Sequence, residues 1–162
     1  MKILVTYYSR SANTKTVAQK IAKNLGADFE EIIDKKNRTR KIVGWIIAGR
    51  DASTKKLTEI SYKKDSSKYD LVLIGTPVWA WTMTPAIRTY LFENKAKIVG
   101  KKSPKLAFFC TQGGSGDQKT FIEMAQLSKK SICNLTIIDK QISDCDNSVF
   151  GFCEAIKKKL KF

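Results

Sequence analysis

Mostly apolar runs alternate along this chain with amphipathic ones. Lys2–Tyr8 (KILVTYY), Tyr69–Gly75 (YDLVLIG) and Pro104–Cys110 (PKLAFFC) read as strands. Asp28–Ile33 and Leu135–Ile142 complete a predicted set of five. Strands that are apolar on both faces are those of a parallel sheet covered by helices. Between them, Asn13–Leu25 carries Val17, Ile21 and Leu25 at the four-residue spacing of one helix face, and Gly26 follows as a stop. Pro85–Phe92, Gln118–Lys130 and Val149–Leu160 are predicted as further helices. This order predicts an α/β fold with a five-stranded, doubly wound parallel sheet. Residues 35–67, before the third strand, are too long for an ordinary connection. Their VGWIIAG stretch predicts a short buried helix in an insertion packed on the sheet.

Composition bounds the picture. The 162 residues suit one domain, here residues 1–162 including the insertion, and 43% are hydrophobic, enough for a core. No apolar run reaches the length of a membrane span, and KILV is too short for a signal peptide, so a cytoplasmic protein without membrane insertion is expected. Cys110, Cys133, Cys145 and Cys153 form no C-x-x-C, and there is no His, which argues against zinc or an iron–sulfur cluster. The cysteines are expected to be reduced thiols, partly in the core.

Charge adds a second theme. Thirty Lys and Arg face 15 Asp and Glu, a net +15. Ten cations lie from Lys35 to Lys64, including Arg38, Arg40, Lys41 and Arg50, against Asp51 and Glu59, so this segment holds +8 of the total. Such a surface suits an acidic partner. No helix-turn-helix, zinc-finger or RNA-binding pattern accompanies it, so nucleic acid is not expected.

In an open α/β sheet, ligands bind beyond the carboxyl ends of the strands. Three stretches there carry candidate chemistry. Ser9, Arg10, Ser11, Ala12, Asn13 and Thr14 leave the first strand and open a helix. One hydroxyl or amide suffices to cap a helix, but four in six positions fit an anion held by neutral donors. Thr76, Pro77, Val78, Trp79, Ala80 and Trp81 follow the third strand. Their indoles either fold back on the core or stack on a flat aromatic ligand. Thr111, Gln112, Gly113 and Gly114 follow the fourth, where glycines allow close backbone approach or positive φ.

Together, SRSANT, TPVWAW and TQGGSGD resemble the phosphate loop and the two flavin-flanking loops of the flavodoxin-like family. The element order agrees over essentially the whole chain. TPAIRTYL and AGRDASTKKL also resemble segments of short flavodoxins. The resemblance implies a three-layer sandwich with strand order 2-1-3-4-5 and FMN as cofactor. It implies that Ser9, Ser11, Asn13 and Thr14 bind the phosphate. Pro77 to Trp81 would face the isoalloxazine, with Trp79 as the stacking ring, and Thr111 to Gly114 would rim its polar edge. Among loop carboxylates, Asp117, Asp144 and Asp146 are expected nearest that rim. The family commonly has Gly at the place of Ala12, whose methyl disfavours positive φ.

Other chemistries on similar folds lack their residues. There is no Cys-x5-Arg, no Asp closing the third strand, no G-x-G-x-x-G or Walker loop, and no His for an acyl-transfer triad. The expected function is low-potential electron carriage between redox partners, with a ferredoxin or a reductase as candidates. The alternative is an FMN-dependent NAD(P)H or quinone oxidoreductase, in which Arg10, Arg50 and the basic insertion hold the nucleotide phosphate.

Overall fold

A computed structural model describes residues 1–36 and 41–161, without the side chains of residues 41–43 and 45. Arg38 and Arg40, and the side chains of Lys41 and Trp45, lie outside the described residues. The parallel sheet runs β2 (Asp28–Glu31), β1 (Ile3–Tyr7), β5 (Leu71–Trp79), β7 (Lys105–Gln112) and β8 (Asn134–Ile138). This is the order 2-1-3-4-5, with β5, β7 and β8 as the third to fifth predicted strands. The central strands are buried along nearly their whole length because helices cover both faces. The edge strand β2 is DFEE and half-exposed, so it does not read as a buried run.

The two faces have separate cores. Val17 and Ile21 of α1 (Asn13–Leu25) pack with Val149, Phe152 and Ile156 of α6 (Asp146–Leu160) against one face. On the other, Ala86, Ile87 and Tyr90 of α3 (Pro85–Glu93) pack with Phe121 and Met124 of α5 (Asp117–Leu127). The short helix α4 (Lys95–Ile98) precedes β7. Gly75 is fixed by packing: a Cβ there would lie 2.1–2.7 Å from ring atoms of Phe109. All four cysteines are free thiols, and Cys110, Cys145 and Cys153 are buried.

Three sequence expectations need correction. The VGWIIAG helix is longer than expected: α2 covers Lys41–Ser53, and it exposes Ile46 and Ile47 while burying Ala48, Asp51 and Ala52. Its periodicity is weak because apolar residues occupy both faces. A two-stranded antiparallel ribbon, β3 (Ile33–Asp34) with β4 (Ile60–Ser61), brackets α2. The fifth strand ends at Ile138, and residues 139–141 turn as a short 3-10 helix.

Candidate functional site

The loop from β1 to α1 is held by its own backbone. Ala12 adopts φ 68°, ψ −8°, the left-handed conformation a glycine would take freely, and is exposed. In this conformation its carbonyl accepts from the Thr16 N–H at 2.9 Å and the Thr16 hydroxyl at 3.0 Å. The Lys15 N–H donates to Ser9 Oγ at 3.2 Å. The Thr16 bond is the first of the helix ladder, and the Ser9 hydroxyl satisfies one of the orphan amides ahead of it. Those of Asn13 and Thr14 have no partner among the described residues. They sit at the positive end of a 13-residue helix with no acid in its first turn. The adjacent cation, Lys15, is paired with Glu31 at 3.2 Å.

The stretch after the third strand is not a free loop. β5 continues through Pro77, Val78 and Trp79 and folds back on β6 (Thr82–Met83), pairing Val78 with Met83 and Trp79 with Thr82. The two-residue turn places Ala80 at φ 47° and Trp81 at φ 61°. Tight hairpins demand positive φ at both turn residues, a strain usually relieved by Asn-Gly. Here tertiary contacts hold it. Trp81 Nε1 donates to Ser115 Oγ at 3.0 Å, and Trp81 Cα lies against Gly116, where a Cβ would come within 2.8 Å.

A buried polar cluster lies beneath the hairpin. Thr82 Oγ1 donates to Glu123 Oε2 in a short hydrogen bond. Arg88 Nη2 donates to both Thr82 Oγ1, at 2.9 Å, and Glu123 Oε2, at 3.1 Å. Lys55 Nζ approaches Glu123 Oε1 at 3.9 Å. Burial pushes the Glu123 pKa up, but the hydrogen bonds from Thr82 and Arg88 and the neighbouring cations outweigh it, leaving it below the ordinary value.

The three stretches meet at a cleft of about 300 Å³ lined by Arg10, Ser11, Pro77, Val78, Trp79, Ala80, Thr111 and Gly113. The Trp79 ring meets Tyr8 edge-on, with centroids 5.6 Å apart and an 87° interplanar angle. Arg10 Cζ lies 5.8 Å from the Trp79 ring centroid, within cation–π range. Thr14 and Thr111 share a buried hydroxyl contact of 2.8 Å, joining the first stretch to the third.

Several expected residues fall elsewhere. Trp81 is 62% exposed and outside the cleft lining, so the two indoles have separate environments. Thr76 is buried, accepting from the Thr84 N–H at 3.2 Å and donating to the Pro77 carbonyl at 2.9 Å. Gln112 is buried, and its Oε1 has no partner among the described residues. Gly114 and Arg50 are exposed and do not line the cleft. Gly113 and Gly114 do not use positive φ, and a Cβ on either would meet no atom within 4 Å. Cys110 is sealed inside, and burial pushes its thiol pKa up to about 12, so it is unreactive.

The carboxylates also differ from expectation. Asp146 pairs with Lys20 at 2.7 Å, Asp144 is exposed, and neither lines the cleft. Asp117 opens α5 and accepts from Thr136 Oγ1 at 3.0 Å. Burial pushes its pKa up, but Thr136 and the local backbone amides outweigh this, leaving it below the ordinary value. The cleft carboxylate is Asp139, whose Oδ1 accepts from Asn13 Nδ2 at 2.9 Å. That bond takes one of the two N–H donors of the Asn13 side chain and leaves its backbone N–H open. Sequence reasoning missed Asp139 because it placed that residue inside a strand. It also missed Ala48 and Gly49 of α2, which line the cleft. Their only signal was a glycine inside an apolar helical stretch.

Among the described residues, no group of three or more His, Cys, Asp or Glu could hold a metal ion, and no helix is long and apolar enough to cross a membrane. A family model described as Flavodoxin matches residues 2–145. A Lactobacillus acidophilus flavoprotein solved in complex with FMN is 25% identical, with a TM-score of 0.71, covering 88% of this chain and 96% of that one. A Bacteroides uniformis protein described as a putative flavoprotein has a TM-score of 0.77 at 20% identity, covering 94% and 97%. Two-electron reduced Megasphaera elsdenii flavodoxin has a TM-score of 0.59 at 14% identity, covering 95% and 98%.

Proposed function

The chain belongs to the flavodoxin family, and we propose that it binds FMN in the Arg10–Trp79–Thr111 cleft and carries electrons between redox partners. The observation that carries this reading is the convergence of uncharged donors, an indole wall and a narrow cleft at one end of the sheet. The donor set suits a phosphate joined to a flat ring. The open N–H groups of Asn13 and Thr14 and the hydroxyl of Ser11 hold the phosphate, while Ser9 and Thr14 hydroxyls brace the loop. Ala12 supplies the left-handed turn that aims those amides. Pro77 to Ala80 form the apolar side, with Trp79 as the stacking ring, and Thr111 and Gly113 form the polar rim. Trp81 serves the hairpin rather than the ring. Bound FMN supplies the redox chemistry; the chain binds it, orients it and excludes water.

Electron carriage is favoured over an oxidoreductase by the size of the cleft. About 300 Å³ lies at the small end for ligand sites. Hydride transfer would need room for a nicotinamide stacked on the ring in addition to the flavin. Arg50, a candidate for gripping a nucleotide phosphate, is outside the cleft lining. The net charge of +15 favours acidic redox partners, and their association weakens as salt rises. Anaerobic mixing of the FMN-loaded protein with NADPH or NADH tests the choice. The expected outcome is no steady turnover with either nucleotide or a quinone, but rapid bleaching of the flavin band when a flavodoxin reductase is added. Rapid turnover without the reductase would favour the oxidoreductase.

A further inference from the structure

The cleft has a wall that none of the three strand-end stretches supplies. Ala48 and Gly49 of α2 line it beside Pro77, Val78, Trp79 and Ala80. The buried positions Gly44, Ala48, Asp51 and Ala52 recur at helical spacing, and Gly49 lies at the edge of that face. The last turn of α2 is tied down through Asp51, which pairs with Lys36, ahead of the helix, at 2.6 Å and Lys56, after it, at 3.8 Å.

A glycine well inside a helix weakens it relative to alanine, so its presence calls for a reason. Gly49 has no positive φ, and among the described residues a Cβ there would meet no atom within 4 Å. Neither backbone conformation nor packing among the described residues requires it. Gly75 and Gly116 differ, since a Cβ on either would collide with protein atoms. Gly49 lines the cleft, and the space at its Cβ position is open.

We infer that Gly49, with Ala48, is the ring-facing wall of the flavin cleft, sized by its missing side chain to admit a flat aromatic ring. The inference rests on the FMN reading above. The neighbours assign it to the ring rather than the phosphate: Pro77, Val78 and Trp79 are apolar, whereas the open amides are at the start of α1. The 35–67 segment then acts as part of the cofactor site as well as a carrier of charge.

Gly49→Ala and Gly49→Leu test this by pulling two readouts in opposite directions. Both substitutions favour the helix, so urea unfolding of the apoprotein is expected to show unchanged or greater stability. FMN binding, followed by quenching of flavin fluorescence, is expected to weaken at least tenfold in Gly49→Leu and less in Gly49→Ala. Riboflavin, which carries the ring without the phosphate, is expected to lose affinity by the same factor. Gly49→Leu binding FMN as wild type does would overturn the wall alone. So would Gly49→Ala losing apoprotein stability in step with affinity, because the glycine would then be structural. Wild-type protein that leaves FMN fluorescence unchanged would overturn the FMN reading, and the wall with it.

Discussion

The two ends of the cleft are built on different principles. The proposed phosphate end is six consecutive residues, Ser9–Thr14, of which Arg10 and Ser11 line the cleft; it is braced by short-range bonds from Lys15 and Thr16, by a buried contact with Thr111 and by the bond from Asn13 to Asp139. It presents no formal charge beyond Arg10, which lies over Trp79. The ring end draws on the β5–β6 hairpin, α2, the end of β7 and Asp139. The hairpin stands on a buried ion pair, Arg88–Glu123, and has two non-glycine residues at positive φ. The α1 cradle rests on short-range bonds and two side-chain tethers, to Thr111 and to the exposed Asp139, with no buried charge. An assembled, strained wall depends on charges that are out of water, and such charges are costly to leave unpaired.

The sharpest way to separate the two ends is to break that ion pair. Glu123→Leu leaves the Arg88 guanidinium buried and is expected to lower stability by about 3–5 kcal/mol in urea unfolding. Adding Arg88→Met is expected to recover most of the loss, since a well-packed apolar pair replaces a buried ionic one at little cost. A double variant no better than the single one would show that the pair is not the hairpin's support.

Acid is the next lever. Glu123 and Asp117 both have pKa values depressed in the folded state. Their contribution is therefore full above the ordinary carboxylate range and is lost as pH falls through the depressed values. Hydrogen exchange at about pH 3 is expected to show the amides of residues 78–83 and 117–120 losing protection first. The α1 amides should hold longer. Loss of protection in α1 first would reverse the contrast.

The smallest expected effect is at Ala12. A left-handed alanine costs roughly 1–2 kcal/mol that a glycine avoids. Part of that gain is offset by the greater freedom of glycine in the unfolded chain. Ala12→Gly is thus expected to stabilise the protein by up to about 1 kcal/mol, with FMN affinity unchanged or improved. Weaker binding would mean that the methyl itself touches the ligand.

The same contrast explains what the sequence made legible. The sheet order and most helices follow from unbroken apolar runs and four-residue spacing. The proposed phosphate end is legible as SRSANT because its loop residues are adjacent in the sequence. Ala12 was flagged as unsuited to positive φ, yet it adopts φ 68°, because Lys15, Thr16 and Thr111 fix the loop around it. The ring end was only half legible. TPVWAW marked its place, but not that β5 would extend and fold back, nor that its two indoles would part. Asp139 and Gly49 reach the cleft from about 60 and 30 residues away from Trp79, through crossovers that no local pattern records.

The central claim is that the neutral cradle at α1 binds the phosphate of FMN. Titrating the apoprotein against FMN and riboflavin, with fluorescence quenching as the readout, tests it most directly. Hydrogen bonds to a charged group contribute about 1.5–3 kcal/mol each, so two backbone amides and a hydroxyl predict FMN binding at least ~100-fold tighter than riboflavin. Equal affinities, or no quenching by either flavin, would contradict the account.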